Sequence, residues 1–509
     1  MKQPNILLLY TDQQRYDTIA ALGNPLIKTP NIDFIANSGV SFDRCYTSTP
    51  VCIAARCAMV TGLPAHVTDC YANVEMPQEE TSFMEVLQSL GYQTHGVGKQ
   101  HFSPDSHKLW GYDNRDYSEE GGSDDQYRKF LQDNGYGHVD DIHGVRSEYY
   151  YIPQPSQLPA HLHNSHWVAD RSIDYLKKRD QNKPFFLMSS FIKPHPPFEN
   201  PVPWNKLYRM AQMPLPHRPE NYSDALCYWN HFQNRYKYRD QGFDDNLLRT
   251  MKAAYYAAIS FVDWNVGRIL QALGDEIDDT LILYLSDHGE MLGDFGSFGK
   301  RCMLEPAVHV PLLARLPGTF EGGKRISTPT SNLDLFPTFT AIAGDNAVHP
   351  HLEGQDLQKI INEDSERDFV YSQYGEEERG LYLITDGVWK YTYSAADKKE
   401  WLYNLVFDPQ ESRNLAYNGF YRNEVERLRK AQIKRYTDAG YTKAVENGDW
   451  KDYGITECNF QTDQQLLLQD LAEDLQGTID ALGEGYARQV EFPPLAEEEF
   501  YDRFLGDKE

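Results

Sequence analysis

The sequence predicts an α/β protein: a large, mostly parallel central sheet flanked by helices, followed by a small antiparallel sheet and a helical acidic tail. Three observations carry this prediction. Short, continuous apolar runs recur through the first two thirds of the chain, segments with apolar residues at helical spacing separate them, and past residue 365 the pattern turns to alternation.

Taken in order, residues 6–10 (Ile-Leu-Leu-Leu-Tyr) read as the first buried strand. A lysine precedes this run, as in a signal peptide, but the run is short, meets Asp12-Gln13-Gln14-Arg15 and has no small-residue cleavage site. The runs at 94–97, 185–191, 281–285 and 310–314 read as further strands, and none is long enough to cross a bilayer. Seven scattered cysteines form neither a dense framework nor a paired zinc spacing, so a soluble protein of the reducing cytoplasm is the expectation. Helices are expected from the capping-type start Thr81-Ser82-Phe83-Met84-Glu85 to Gly91, and over residues 246–273, where Ile259, Val262, Val266 and Ile269 share a face.

Segments 103–165 and 200–245 show little periodicity and many Tyr, Trp and His residues, so they read as surface insertions bordering a substrate site. Residues 381–385 and 389–393 alternate around Asp386-Gly387, a hairpin signal. The expected division is a catalytic α/β domain over 1–365, an antiparallel-sheet subdomain over 366–425 and an acidic, partly helical extension over 426–509.

Forty-nine Lys and Arg against 75 Asp and Glu give a net charge of −26, which excludes a generic nucleic-acid or anionic-membrane binder. The charge is uneven. Residues 446–509 hold 17 acidic and 4 basic side chains, with Leu467, Leu468, Leu471, Leu475, Ile479 and Leu482 on one helical face. That face reads equally as an oligomer-forming or docking element and as a helix packed on its own domain.

Asp12 follows the first strand and Asp287-His288-Gly289 follows the strand at 281–285. Side chains just past the carboxyl ends of parallel strands converge on one crevice, where two carboxylates can share a hard cation. Taken alone, each reads as a helix N-cap or turn residue. Cys52 precedes a helical pattern, which places it at a helix N-terminus where anions are favoured, and Arg56 lies one turn on.

The segment Cys52-x-Ala54-x-Arg56 with Thr61-Gly62 resembles the signature of the type I sulfatases of the alkaline phosphatase superfamily, and the resemblance covers roughly residues 4–417. Thr29-Pro30-Asn31-Ile32-Asp33, Gly98-Lys99-Gln100-His101, Lys193-Pro194-His195-Pro196-Pro197, Ser286-Asp287-His288-Gly289, Gly299-Lys300 and Leu402-Tyr403-Asn404-Leu405 match further family segments in order. The resemblance implies an alkaline phosphatase-like fold and conversion of Cys52 to formylglycine (3-oxoalanine), whose hydrate is the nucleophile. It implies one divalent cation on Asp12, Gln13, residue 52, Asp287 and His288. It also implies that Arg56 supports the nucleophile, Lys99 binds a sulfate oxygen, His101 is the base that resets the site, and His195 and Lys300 serve the leaving oxygen. His66, His161, His163 and His309 receive no such role.

Two departures matter. Gln13 stands where the family's second metal aspartate is common, and His288 replaces an asparagine, so the site loses a negative charge and gains a nitrogen. Mn²⁺ thereby joins Ca²⁺, the first expectation, and Mg²⁺. The same pairs resemble the phosphonate monoester hydrolase branch. The expected function is hydrolysis of sulfate monoesters, of a sulfated saccharide or an aryl sulfate, after a formylglycine-generating maturase has acted. The alternatives are a phosphonate monoester or phosphodiester hydrolase on the same residues, or a non-catalytic binder of sulfated ligands with an unmodified Cys52.

Overall fold

The computed structural model describes residues 3–458 apart from 121–123, 147–149, 238–243, 346, 348, 350, 364 and 366. The leucine-bearing face of the acidic tail lies outside the described residues. The central sheet has eight strands: β1 (Asn5–Asp12), β2 (Val40–Phe42), β3 (Gln93–Gly98), β4 (Asn114–Tyr117), β5 (Phe185–Pro194), β6 (Thr280–Ser286), β7 (Leu312–Arg315) and β8 (Lys324–Ile326), in the order β8-β2-β7-β6-β1-β5-β3-β4. β1 pairs in parallel with both β5 and β6, and β3 with β4 and β5, whereas β7 runs antiparallel to β6 and β2. The apolar run near residue 312 therefore supplies the antiparallel member of an otherwise mostly parallel sheet.

β1 shows why these strands are continuously apolar. Ile6, Leu8 and Tyr10 pack on one face against α1 (Cys52–Thr61) and α2 (Phe83–Ser89), through Met59, Val60 and Phe83. Leu7 and Leu9 pack on the other against α3 (Asn164–Lys178) and α4 (Asp245–Leu273), through Trp167, Val262 and Val266. Both faces are dry, so no polar alternation survives. The start of α2 is a capping box: the Ser82 hydroxyl accepts from Glu85 N–H at 3.1 Å, and the Glu85 carboxylate accepts from Ser82 N–H at 2.8 Å. Among the described residues no helix is long and apolar enough to cross a membrane.

The insertion at 103–165 is more than irregular surface, because it contributes the edge strand β4 and the helix Gln126–Asp133. The polar sequence Asn-Arg-Asp-Tyr of β4 hides a strand because an edge strand has one partner and needs no apolar run. The described residues of segment 200–245 likewise hold three short 3₁₀ turns and the helix Tyr228–Lys237.

The C-terminal sheet is antiparallel, β9 (Val370–Tyr374), β10 (Leu381–Thr385), β11 (Trp389–Ser394) and β12 (Lys399–Asn404), with the predicted hairpin at β10–β11. Helix α5 (Arg422–Asp438) lays Val425, Leu428 and Tyr436 on Tyr382, Ile384 and Leu402, so the boundary expected at residue 425 falls inside this helix. Lys390 of β11 ties the sheet to the main domain. Its fully buried ammonium lies 2.8 Å from Glu305 and 2.5 Å from Glu411. Burial, with Glu305 beside it, pushes Glu411 up to about 7. Removing the cation strands two buried carboxylates, so Lys390→Met is expected to lower unfolding free energy by about 3 kcal/mol in urea titrations. Adding Glu305→Gln and Glu411→Gln is expected to recover most of the loss.

Candidate active site

Four strands deliver the site. Asp12 ends β1, Lys99 follows β3, His195 follows β5 and Asp287 follows β6, all at carboxyl ends. Because Thr11 pairs with Ser286, Asp12 and Asp287 emerge side by side, and the Asp287 N–H donates to the Thr11 carbonyl at 3.3 Å. Glycines make room for the turns. A Cβ on Gly98, at φ +80°, would lie 2.2 Å from the Ser190 carbonyl oxygen, and one on Gly289 would lie 1.9 Å from that of Pro306. Cys52 opens α1 as predicted, buried at the helix N-terminus.

One ligand atom from each of Asp12, Cys52, Asp287 and His288 lies within 4.8 Å of the others. Cys52 Sγ is 3.2 Å from His288 Nε2 and 3.7 Å from Asp12 Oδ1. His288 Nδ1 lies 3.0 Å from the Gly289 carbonyl oxygen, which can only accept, so Nδ1 carries the proton and Nε2 turns a lone pair on this cluster. Burial, with the neighbouring charge of Asp12, pushes the Asp287 carboxyl up. A divalent cation relieves that crowding of like charges. Two carboxylates, a bare imidazole nitrogen and residue 52 thus fit a divalent cation. Gln13, at φ +68°, donates its N–H to Asp287 Oδ1 at 2.9 Å and accepts from Lys300 Nζ at 2.6 Å through its amide oxygen. It stands between the carboxylates and Lys300.

The cations are buried too, so none of these lysines is a solvated surface residue. Lys99 Nζ is 2.6 Å from Asp12 Oδ2 and also contacts Glu120, and Lys300 Nζ is 3.2 Å from Cys52 Sγ. Burial opposes a charge on the Cys52 thiol, but the ammonium groups of Lys300 and Lys99 outweigh it and hold the thiol well below its usual range. Arg56 turns to the carboxylates: Nε donates to Asp287 Oδ2 at 3.2 Å, Nη1 to the Lys99 carbonyl at 2.6 Å and Ser190 Oγ at 3.1 Å, and Nη2 lies 3.5 Å from Asp12 Oδ2.

His101 sits against the Cys52 sulfur, its backbone N–H held by both carboxylate oxygens of Glu119 at 3.1 and 3.0 Å. His195 also neighbours Cys52, with Nδ1 2.6 Å from the Pro196 carbonyl oxygen. Burial, then Lys300, pushes His195 down to about 4. Of the histidines given no role, His163 pairs with Glu199 at 2.8 Å, His309 with Glu305 at 2.9 Å, and His66 packs on Tyr436.

Sequence reasoning missed Glu119, Glu120, Arg146 and Glu290. The Glu120 carboxylate contacts Lys99, lies 3.0 Å from both Nη1 and Nη2 of Arg146, and lies 3.8 Å from His195 Nε2. Glu290 accepts from the Gln13 amide nitrogen, the Tyr151 hydroxyl and the Gly299 N–H. The only signal for Glu120 was an acidic pair ahead of Gly121-Gly122 in an insertion already read as bordering the substrate.

The family profile described as Sulfatase matches residues 4–345, and that described as N-sulphoglucosamine sulphohydrolase, C-terminal, matches 293–438. An arylsulfatase of Clostridium perfringens is 30% identical over 474 residues, covering 86% of this chain and 96% of the relative. An N-acetylglucosamine-6-O-sulfatase of Bacteroides thetaiotaomicron is 26% identical over 515 residues, covering 86% and 87%. Among solved structures, the phosphonate monoester hydrolase of Agrobacterium radiobacter superposes with a TM-score of 0.74 at 26% identity, covering 86% of this chain and 96% of that one.

The ligand set makes a prediction of its own. Asp287→Ala is expected to weaken retention of a divalent cation by at least about tenfold, read as metal per protein by elemental mass spectrometry after dialysis. Unchanged metal content would remove Asp287 from the ligand set.

Proposed function

We propose, for a chain that belongs to the sulfatase family and is a sulfuric ester hydrolase, that it cleaves sulfate monoesters of a saccharide or an aryl alcohol. The observation that supports this reading best is Cys52 itself: first residue of a helix, buried, and within 3.2 Å of both His288 Nε2 and Lys300 Nζ. Converted to formylglycine by a maturase that accepts Ala54 in the signature, residue 52 would supply a hydrated aldehyde as the oxygen nucleophile. A divalent cation, Ca²⁺ first and Mg²⁺ or Mn²⁺ otherwise, would be held by Asp12, Gln13, Asp287, His288 and residue 52, and would supply Lewis-acid polarisation there.

The chain's own side chains do the remaining work. Lys99 holds an ester oxygen as a point charge, and Asp12 keeps that ammonium charged and in place. Arg56 fixes the two carboxylates and the backbone of Lys99, so that the nucleophile position and the oxygen-binding position move as one unit. Lys300, tied to Gln13, offers an ammonium to the charge that develops on the leaving oxygen. His195 carries its proton on Nδ1, because the Pro196 carbonyl can only accept. Its Nε2 must therefore gain a proton before it can donate one, which assigns charge stabilisation to Lys300 and proton delivery to His195 once an anion is bound. His101, held by Glu119 beside residue 52, is the base that resets the site.

One observation favours a second reading. The fold is similar to that of the phosphonate monoester hydrolase of Agrobacterium radiobacter, and the Asp12-Gln13 and Asp287-His288 pairs resemble that branch. Turnover of matched nitrophenyl sulfate and nitrophenyl phenylphosphonate decides between them. The sulfatase reading predicts a kcat/KM at least about tenfold higher for the sulfate, and a preference for the phosphonate overturns it.

A further inference from the structure

Glu120 is the feature of this site that neither hydrolytic chemistry nor the fold requires. It comes from the insertion at 103–165 and brings a further carboxylate to a site meant for an anion. Its partners are the ones an anionic ester needs. One oxygen contacts Lys99 and lies 3.8 Å from His195 Nε2, while the other lies 3.0 Å from Nη1 and Nη2 of Arg146. Lys99 and His195 are also among the groups around residue 52, so Glu120 and the nucleophile position share two neighbours. The burial gradient is equally informative. Lys99 is fully buried and the His195 side chain 5% exposed, whereas Glu120 is 23% and Arg146 28% exposed, so the carboxylate closes the solvent side of the cluster.

A carboxylate and a sulfate or phosphonate oxygen are recognised alike by an ammonium, a guanidinium and, once protonated, an imidazole. Arg146 also lies over the Tyr150 ring, 5.5 Å from its centroid, and Tyr150 packs edge-on to His195 at 6.2 Å. The guanidinium is thereby held at the site whether or not Glu120 is its partner.

We propose that Glu120 occupies, in the substrate-free protein, the seat of the substrate's anionic group, and that Arg146 is a substrate contact for which that group and Glu120 compete. The inference rests on the reading of this site as one for an anionic ester. Every ligand must displace an internal carboxylate, so apparent affinity is reduced by the fraction of molecules whose seat is closed. Neutral analogues, which cannot replace Glu120 on Lys99 and Arg146, are rejected by the same competition.

Calorimetric titration with inorganic sulfate and, separately, inorganic phosphate tests this without turnover. Glu120→Gln and Glu120→Ala are expected to bind the preferred anion about tenfold more tightly or better than wild type, and Arg146→Gln to bind it more weakly by a similar factor. A merely structural Glu120 would lower the melting temperature and leave anion affinity unchanged. Unchanged or weaker anion binding in folded Glu120 variants overturns the inference, and Glu120→Asp, one methylene shorter, gives the same reading if the other two do not fold. Tighter phosphate than sulfate binding in every variant, with the Glu120 effect intact, would count against the sulfatase reading and leave this inference standing.

Discussion

Asp12 and Asp287 stand side by side with no exposed surface because β1 and β6 pair in parallel, and two such carboxylates are held together only by cations. Arg56 reaches both and Lys99 reaches Asp12, which leaves the opposite side of the carboxylates turned to residue 52 and His288. Through its bonds to the Lys99 carbonyl and Ser190 Oγ, Arg56 also fastens the helix that carries Cys52 to the end of β3 and to β5. The like-charge problem created by the sheet register is thus answered by the same groups that position the nucleophile. Loss of any one of them disturbs charge balance and geometry together.

The protein around this site is strongly acidic, with a net charge of −26, yet the substrate is an anion. Arg56, Lys99, Lys300 and Arg146 gather in one crevice at the carboxyl edge of the sheet, so binding follows the local field and not the total charge. Half of the total, −13, falls on residues 446–509, which follow in sequence every segment that builds the site.

Much of this was legible in the sequence, for physical reasons that particular residues illustrate. The strand at residues 6–10 was readable because burial on both faces removes polar alternation, and Asp12 and Asp287 because they sit immediately after such runs. Gly98 and Gly289 belonged to recognisable motifs, and the structure supplies the reason: backbone carbonyls lie where a Cβ would be. β4 was missed because an edge strand can be polar. Glu120 and Arg146 were missed because their place is set by the path of an insertion, which no periodicity encodes. Lys390 read as one position of a hairpin, while its burial between Glu305 and Glu411 arises only when two sheets dock.

Hydrolysis by the proposed route requires residue 52 to be the nucleophile after conversion from cysteine. Peptide mass spectrometry over residues 48–56 of protein purified from its native host tests this most directly. The peptide is expected to carry the aldehyde of formylglycine in place of the Cys52 thiol. Recovery of the unmodified thiol alone, in protein that still binds sulfate, would contradict it and leave a non-catalytic binder of sulfated ligands.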